Sequence, residues 1–179
     1  MKDVLITKPI IPDDTPQIEE VFYQSWIKTY PNQKVGITAE DIEELFKDRA
    51  QRIANRLNHL TALPSNEIFL VAKKDGVVIG ICRIIVHKNY NQVQSIYILP
   101  EYQGLGVGTA LWSQACKFSD PSKETIVHVA TYNKQAIDFY KELGFIDTGK
   151  RFTEERHRMP KSGVLIPEME MCRNATSVQ

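Results

Sequence analysis

Between Gln103 and Thr109 the chain reads Gln103-Gly104-Leu105-Gly106-Val107-Gly108-Thr109. The apolar run Ser95-Ile96-Tyr97-Ile98-Leu99 precedes it, and helix-like Thr109-Ala110-Leu111-Trp112 follows. Strand, glycine loop and helix in that succession leave few options. Glycine lets the backbone bend and come close to a ligand. The N–H groups of the first helical turn have no partner within the helix, and the helix dipole favours negative charge there. An ordinary strand-to-helix turn needs fewer glycines than this. The segment is therefore read as a phosphate loop, most simply for a pyrophosphate.

Two familiar phosphate loops do not fit. A P-loop ends in Gly-Lys-Ser/Thr, whereas Gly108 is followed directly by Thr109. A dinucleotide fingerprint needs a third glycine or alanine at fixed spacing, and it opens a βαβ fold. Here the third position is missed, and the motif lies in mid-chain after a hairpin signal at Asp75-Gly76.

A second signature lies downstream, from Asn133-Lys134-Gln135-Ala136 through Phe139-Tyr140 to Gly144-Phe145. Together, Gln-Gly-x-Gly-x-Gly and Asn-x-x-Ala-x-x-Phe-Tyr-x-x-x-Gly-Phe resemble the acetyl-coenzyme A-binding motifs of the GNAT superfamily of N-acetyltransferases, in that superfamily's order and separation. The resemblance covers roughly residues 68–172. It says nothing about the acceptor.

Bulk properties are compatible with it. The chain has 179 residues, with 22 basic and 22 acidic side chains. A formal net charge of zero argues against nucleic acid or an anionic membrane as an obligatory partner. Cys82, Cys116 and Cys172 form no Cys-x-x-Cys pair, so neither a zinc site nor a disulfide framework is expected. Cys82 and Cys116 read as buried small hydrophobes. Met1-Lys2-Asp3 opens no apolar leader, and Val77–Val86, interrupted by Arg83, is too short to span a bilayer. A cytoplasmic location is expected, with a homodimer among the open oligomeric states.

Periodicity gives the coarse organisation. Val4–Ile6 is a first strand. A helix capped by Asp14 or Thr15 presents Ile18, Val21, Phe22, Ser25 and Trp26 and ends at Tyr30-Pro31-Asn32. A second helix starts near Thr38, with Asp41 as a partial capping box, and presents one face from Ile42, Leu45 and Phe46 through Ala50, Ile53, Ala54 and Leu57 to Leu60. Strands Ile68–Lys73 and Val77–His87 flank the hairpin turn, and another strand ends at Leu99. Then come helix Gly108–Phe118, strand Thr125–Ala130, helix Asn133–Leu143, and strands Phe145–Arg158 and Val164–Cys172. The fold class is α/β (α+β): a mixed central sheet of about seven strands with helices on both faces, in the order βααβββαβαββ. That order is also GNAT-like. Residues 1–173 are expected to form one domain, and residues 174–179 a loose tail.

Acetyl transfer from a thioester needs a grip on the carrier, a polarised carbonyl, a neutral amine and a proton for the thiolate. The grip is the loop Gln103, Gly104, Leu105, Gly106, Val107, Gly108 and Thr109, acting through its backbone, with the side chains of Leu105 and Val107 free to pack inward. The resemblance implies that Ile96 and Ile98 offer main-chain groups to the pantetheine arm, with an N–H near Ile98 as oxyanion donor. As side chains, both isoleucines also suit a sheet core. Asn133 suits a helix N-cap and, by resemblance, a contact to the pantetheine amides. Tyr140 suits a core position beside Ala136, Ile137 and Leu143. The resemblance makes it a second thing, the acid that protonates the departing thiolate.

The base is the point of departure. An alkylamine with pKa about 10.4 is only about 0.1% neutral near pH 7.4. Many family members carry a glutamate on the strand before the glycine loop, and here the aligned position is Gln94. A base from Tyr97, His128 or His157, a chain of waters, or an acceptor of lower pKa all remain open. Trp26, Tyr30 and Tyr97 could line an amine pocket, although Trp26 also suits the core. Glu154 and Glu155, set on the penultimate strand, could attract a cationic acceptor, with Arg156 and Arg158 blunting that attraction. No motif positions a covalent nucleophile. The expectation is an acetyl-coenzyme A-dependent N-acetyltransferase working by direct attack in a ternary complex on a small amine, such as a polyamine or amino acid, or a protein amine. No metal is expected. The alternative is a non-catalytic acyl-coenzyme A-binding or sensor module.

Overall fold

The computed structural model describes residues 3–175. Of the expected tail, residues 176–179 lie outside the described residues. The elements run β1 (Val4–Thr7), α1 (Thr15–Thr29), α2 (Ala39–Phe46), α3 (Arg49–Thr61), β2 (Glu67–Lys74), β3 (Val77–Val86), β4 (Asn91–Ile98), α4 (Val107–Ala115), β5 (Thr125–Ala130), α5 (Lys134–Glu142), β6 (Ile146–Phe152) and β7 (Glu168–Arg173). One seven-stranded sheet results, in the order β1-β2-β3-β4-β5-β7-β6. Its neighbours are antiparallel except β4 and β5. Among the described residues no helix is long and apolar enough to cross a membrane.

Alternation along the central strands decides what covers each face. Leu70 and Ala72 of β2 pack with Val107, Leu111 and Ala115 of α4. Phe69 and Val71 of the same strand pack with Ile18 and Val21 of α1 and Leu60 of α3. Helices therefore cover both faces, as the sequence suggests. The β2–β3 turn has Asp75 at φ 51° and Gly76 at φ 81°, the pair of positive values that a type I′ hairpin requires.

Four expectations about element limits need correction. The long helix from Thr38 to Leu60 is two helices, because Asp48 ends the first and caps the second by accepting from Gln51 N–H at 3.0 Å. Ala50 and Ala54 are consequently exposed. Helix α4 stops at Ala115 and continues as a 3-10 turn, Cys116–Phe118, in which Cys116 is only half-buried. The strand expected over Phe145–Arg158 ends at Phe152, and Glu155–His157 form a 3-10 turn. The last strand begins at Glu168, after a single bridge between Arg158 and Leu165. Asp14, at the N-cap of α1, makes no side-chain cap bond. Its carboxylate instead accepts from Ile10 N–H at 2.7 Å and pairs with Lys73 at 2.7 Å.

Asp41 does more than close the capping box of α2. Its carboxylate is fully buried and accepts N–H groups from Thr38 (3.0 Å), Lys161 (3.1 Å) and Ser162 (2.7 Å), tying the helix to the β6–β7 connection. Burial pushes the carboxyl pKa up, but hydrogen bonds from Ser162 and Thr38 outweigh it and hold the value at about 2. A depressed carboxyl contributes stability above its unfolded value, near 3.8, which is lost as pH falls through about 2. Asp41→Asn should therefore cost about 2 kcal/mol near neutral pH. In urea titrations the gap to wild type should shrink between about pH 4 and pH 2.

Candidate active site

The site originates in a register fault. In the β3–β4 ladder Arg83 faces Ser95 and Ile84 faces Val93, so Gln94 is an extra residue, a β-bulge. On the other edge of β4, parallel pairing with β5 covers Asn91, Gln92 and Val93 and then stops. Beyond Val93 the two strands part. Leu99 N–H bonds to Ile79 C=O in β3 at 2.9 Å. Main-chain groups alternate along a strand, so the N–H groups of Ile96 and Ile98 face the gap. A cleft of about 330 Å³ fills it, lined by these β4 residues, the glycine loop, His128 to Ala130 of β5, and Asn133 and Tyr140.

The glycine loop closes one end. Gly104 (φ 73°) and Gly106 (φ 79°) take left-handed conformations that aim the chain into α4, with Gly106 at its N-cap. Among the described residues no protein acceptor meets the N–H groups of residues 104–109. Val107 is buried as expected, but Leu105 is 58% exposed and does not pack inward, because the left-handed glycines on either side turn it out to solvent. Gly108 is glycine for another reason. A Cβ there would stand 3.2 Å from the ring of Phe139, so α4 and α5 meet too closely for a side chain. Gln103 links the two walls: its Nε2 donates to Ile98 C=O (3.0 Å) and its Oε1 accepts from Gln135 (3.0 Å). Thr109 lines the same end.

Asn133 is the N-cap of α5, its Oδ1 accepting from Ala136 N–H at 3.1 Å. Asn133 borders the cleft, and its Nδ2 has no protein partner among the described residues, so the cap leaves a donor to spare. Tyr140 packs edge-on against Phe139 and Phe145, and its ring is buried. It also lines the cleft. Burial, reinforced by Cys82 and Tyr97, pushes its hydroxyl pKa far up, so it stays a protonated donor. The one side chain thus packs in the core and borders the cleft.

A smaller cavity, about 60 Å³, adjoins the cleft through Tyr30, Gln94, Tyr97 and His128, which line both. Trp26, Tyr30 and Tyr97 all line this smaller cavity. The Trp26 and Tyr30 rings lie 4.4 Å apart, and the Tyr30 and Tyr97 hydroxyls 3.3 Å apart. Burial pushes both phenols up, and the Glu168 carboxylate adds to the effect. Glu154 and Glu155 are not on a strand, and they diverge. Glu155 pairs with Arg158 in solvent, whereas Glu154 pairs with Arg156 near His128. Two acidic residues of β7, Glu168 and Glu170, were missed by the sequence reading although both are buried here. Their only signal is a Glu-x-Glu placed where an apolar strand was expected.

A family model described as the acetyltransferase (GNAT) family matches residues 20–145. A putative ribosomal protein bS18-alanine N-acetyltransferase of Bacillus subtilis is 34% identical over 86 residues, covering 46% of this chain and 56% of that protein. A spermidine N(1)-acetyltransferase of Thermoplasma acidophilum is 28% identical over 138 residues, 74% of this chain and 83% of that protein. The chain spans only 25% to 56% of the length of four other curated relatives, the Bacillus protein among them. The fold is similar to that of the PaiA N-acetyltransferase of Thermoplasma acidophilum, solved in complex with coenzyme A. The TM-score is 0.70, with 23% identity and 96% and 98% of the two chains covered.

The two kinds of glycine predict different mutant behaviour. Gly108→Val should lower unfolding free energy by about 1–3 kcal/mol by overpacking against Phe139. Adding Phe139→Leu should return much of that loss. Gly106→Val strains the backbone itself, so the same second substitution should return none of it. Urea unfolding of the four proteins checks the contrast.

Proposed function

Because the chain belongs to the acetyltransferase (GNAT) family, we propose that it moves the acetyl group of acetyl-coenzyme A to a primary amine, both substrates meeting in the cleft between β4 and β5. The observation that carries this reading is the parting of β4 from β5 beside the N-terminus of α4. A pyrophosphate fits the open N–H groups of the glycine loop. A chain of amide groups fits the freed edge of β4, where Ile96 N–H and Asn133 Nδ2 can act as donors. That places the thioester near Ile98, whose N–H is the oxyanion donor.

The remaining chemistry belongs to side chains. The amine nitrogen attacks the thioester carbonyl directly. Tyr140 donates its hydrogen bond to sulfur as the C–S bond breaks. A thiolate leaving into an apolar cleft is more basic than in water, which suits a donor whose own pKa is raised. Cys82 is buried and its thiol is pushed far up by that burial, and burial likewise holds Cys116 and Cys172 at about 11. Three protonated thiols make poor nucleophiles, which supports direct transfer over an acetyl-cysteine route. An amine nitrogen is also what the relatives' names share, that of a ribosomal-protein alanine in one and of spermidine in the other.

Release of free thiol from acetyl-coenzyme A with a panel of primary amines tests this reading. Tyr140→Phe should lower kcat roughly 10²-fold while leaving coenzyme A affinity, measured by calorimetry, nearly unchanged. A protein that bound coenzyme A and released no thiol with any amine would be a binding module.

A further inference from the structure

The proposed transfer leaves the amine's proton unassigned, because Gln94 occupies the β4 position where a carboxylate would serve. The described residues include six buried carboxylates: Asp14, Glu19, Asp41, Glu67, Glu168 and Glu170. Four have a permanent cation. Asp14 pairs with Lys73, Glu19 with Arg52 and Arg56, Glu67 with Arg83, and Glu170 with Lys150. Asp41 is satisfied by backbone N–H groups. Glu168, 6% exposed, has only His157, whose Nδ1 lies 2.9 Å from Oε2. Its charge is otherwise felt by phenols, those of Tyr30, Tyr97 and Tyr132. A buried carboxylate with no permanent cation gains when a positive charge arrives beside it.

We infer that His157, oriented by Glu168, is the base that takes the proton from the acceptor amine. This rests on the acetyltransferase reading above. With Nδ1 fixed on Glu168, the imidazole presents Nε2, which has no protein partner among the described residues. Both His157 and Glu168 line the small cavity, which joins the cleft at Gln94 and Tyr97. An arriving ammonium gives one N–H proton to Nε2. The imidazolium so formed supplies the missing positive charge, and Glu168 becomes part of a pair. The neutral amine attacks, the C–S bond breaks, and Tyr140 gives its proton to sulfur. The excess proton on the acylated nitrogen then restores Tyr140, and His157 releases its own to water. Glu168 is thus a positioning residue.

His128 is the rival histidine, and its surroundings are less suited. Its nitrogens stand 3.5 Å from Glu154 and 3.6 Å from Glu170, too far for hydrogen bonds to fix a tautomer. Both of those carboxylates already pair with cations, Arg156 and Lys150. The charged and titratable groups around His157 are Glu154 and Arg156 on its own turn, Glu168 on β7, His128 on β5, Tyr97 on β4 and Tyr30 at the end of α1. Of these, only Glu168 makes a hydrogen bond to the ring. Glu154, His157 and Glu168 could also face a metal ion, but Arg156 already occupies the Glu154 carboxylate.

The test is the pH dependence of kcat/KM with 1,4-diaminobutane for wild type, His157→Gln, His157→Ala and Glu168→Gln, with coenzyme A affinity measured alongside. Wild type should level off well below the amine's own pKa. His157→Gln should fall about 10²-fold near pH 7 and climb about tenfold per pH unit toward that pKa. Added imidazole should restore His157→Ala, and Glu168→Gln should lose about tenfold while keeping a shifted plateau. A His157→Gln profile superimposed on wild type overturns the assignment. So does a His157→Ala variant equally impaired at every pH and unmoved by imidazole, which makes the residue structural. Wild type releasing no thiol with any amine is a different result: it removes the acetyltransferase reading and this base with it.

Discussion

The site depends on one unmatched residue. Gln94 has no opposite number on β3, and the bulge turns β4 away from β5. Backbone N–H groups that a longer ladder would use are left facing space. Buried donors without acceptors are costly, so a fold that keeps them needs solvent or a ligand there. The parallel pairing of β4 and β5 adds a second constraint. Parallel neighbours need a crossover, and this crossover is α4, which brings a helix N-terminus to the mouth of the gap.

The cleft is held open by polar ties as much as by packing. Gln103 joins the C=O of Ile98 to Gln135 on α5, so one side chain ties the end of β4, the glycine loop and α5 together. The contact of Gly108 with Phe139 sets the approach of α4 to α5. Tyr140, the next residue after Phe139, is thereby held by a contact between two helices that borders the cleft itself. Beside the smaller cavity Ile37, Ile42, Phe46, Met159 and Ile166 form a separate apolar cluster. It carries Trp26 and Tyr30 at its edge and is pinned by Asp41.

What the sequence made legible was local. Positive φ at Gly104 and Gly106, the cap at Asn133 and the Asp75-Gly76 turn each follow from the demands of one residue. The two motifs and the resemblance they carry named Ile96, Ile98, Asn133 and Tyr140, which line one cleft; Trp26, Tyr30 and Tyr97, named apart from the motifs, line the cavity beside it. What stayed hidden was relational. A bulge is a mismatch between two strands, so Gln94 looked like a missing carboxylate when it is also the residue that opens the sheet. Gly108 resembled a third backbone-approach glycine, but a ring from another helix accounts for it. Glu168 sat in an apolar strand pattern, and its significance came from what the other buried carboxylates have and it lacks. The break at Asp48 was readable as an N-cap, but a continuous apolar stripe concealed it.

Only three residue pairs join β4 to β5. That seam divides the sheet into a β1–β4 half and a β5–β7–β6 half, and it is the shortest line of attachment in the middle of the molecule. A ligand with successive amides lying in the gap occupies the place of the missing ladder, much as an added strand does. Under the proposed reading, such a ligand is a removable piece of secondary structure. Loading it would lengthen the seam and releasing it would shorten the seam. Occupancy and rigidity become one variable, and a thermal shift on ligand addition reports the mending of the sheet.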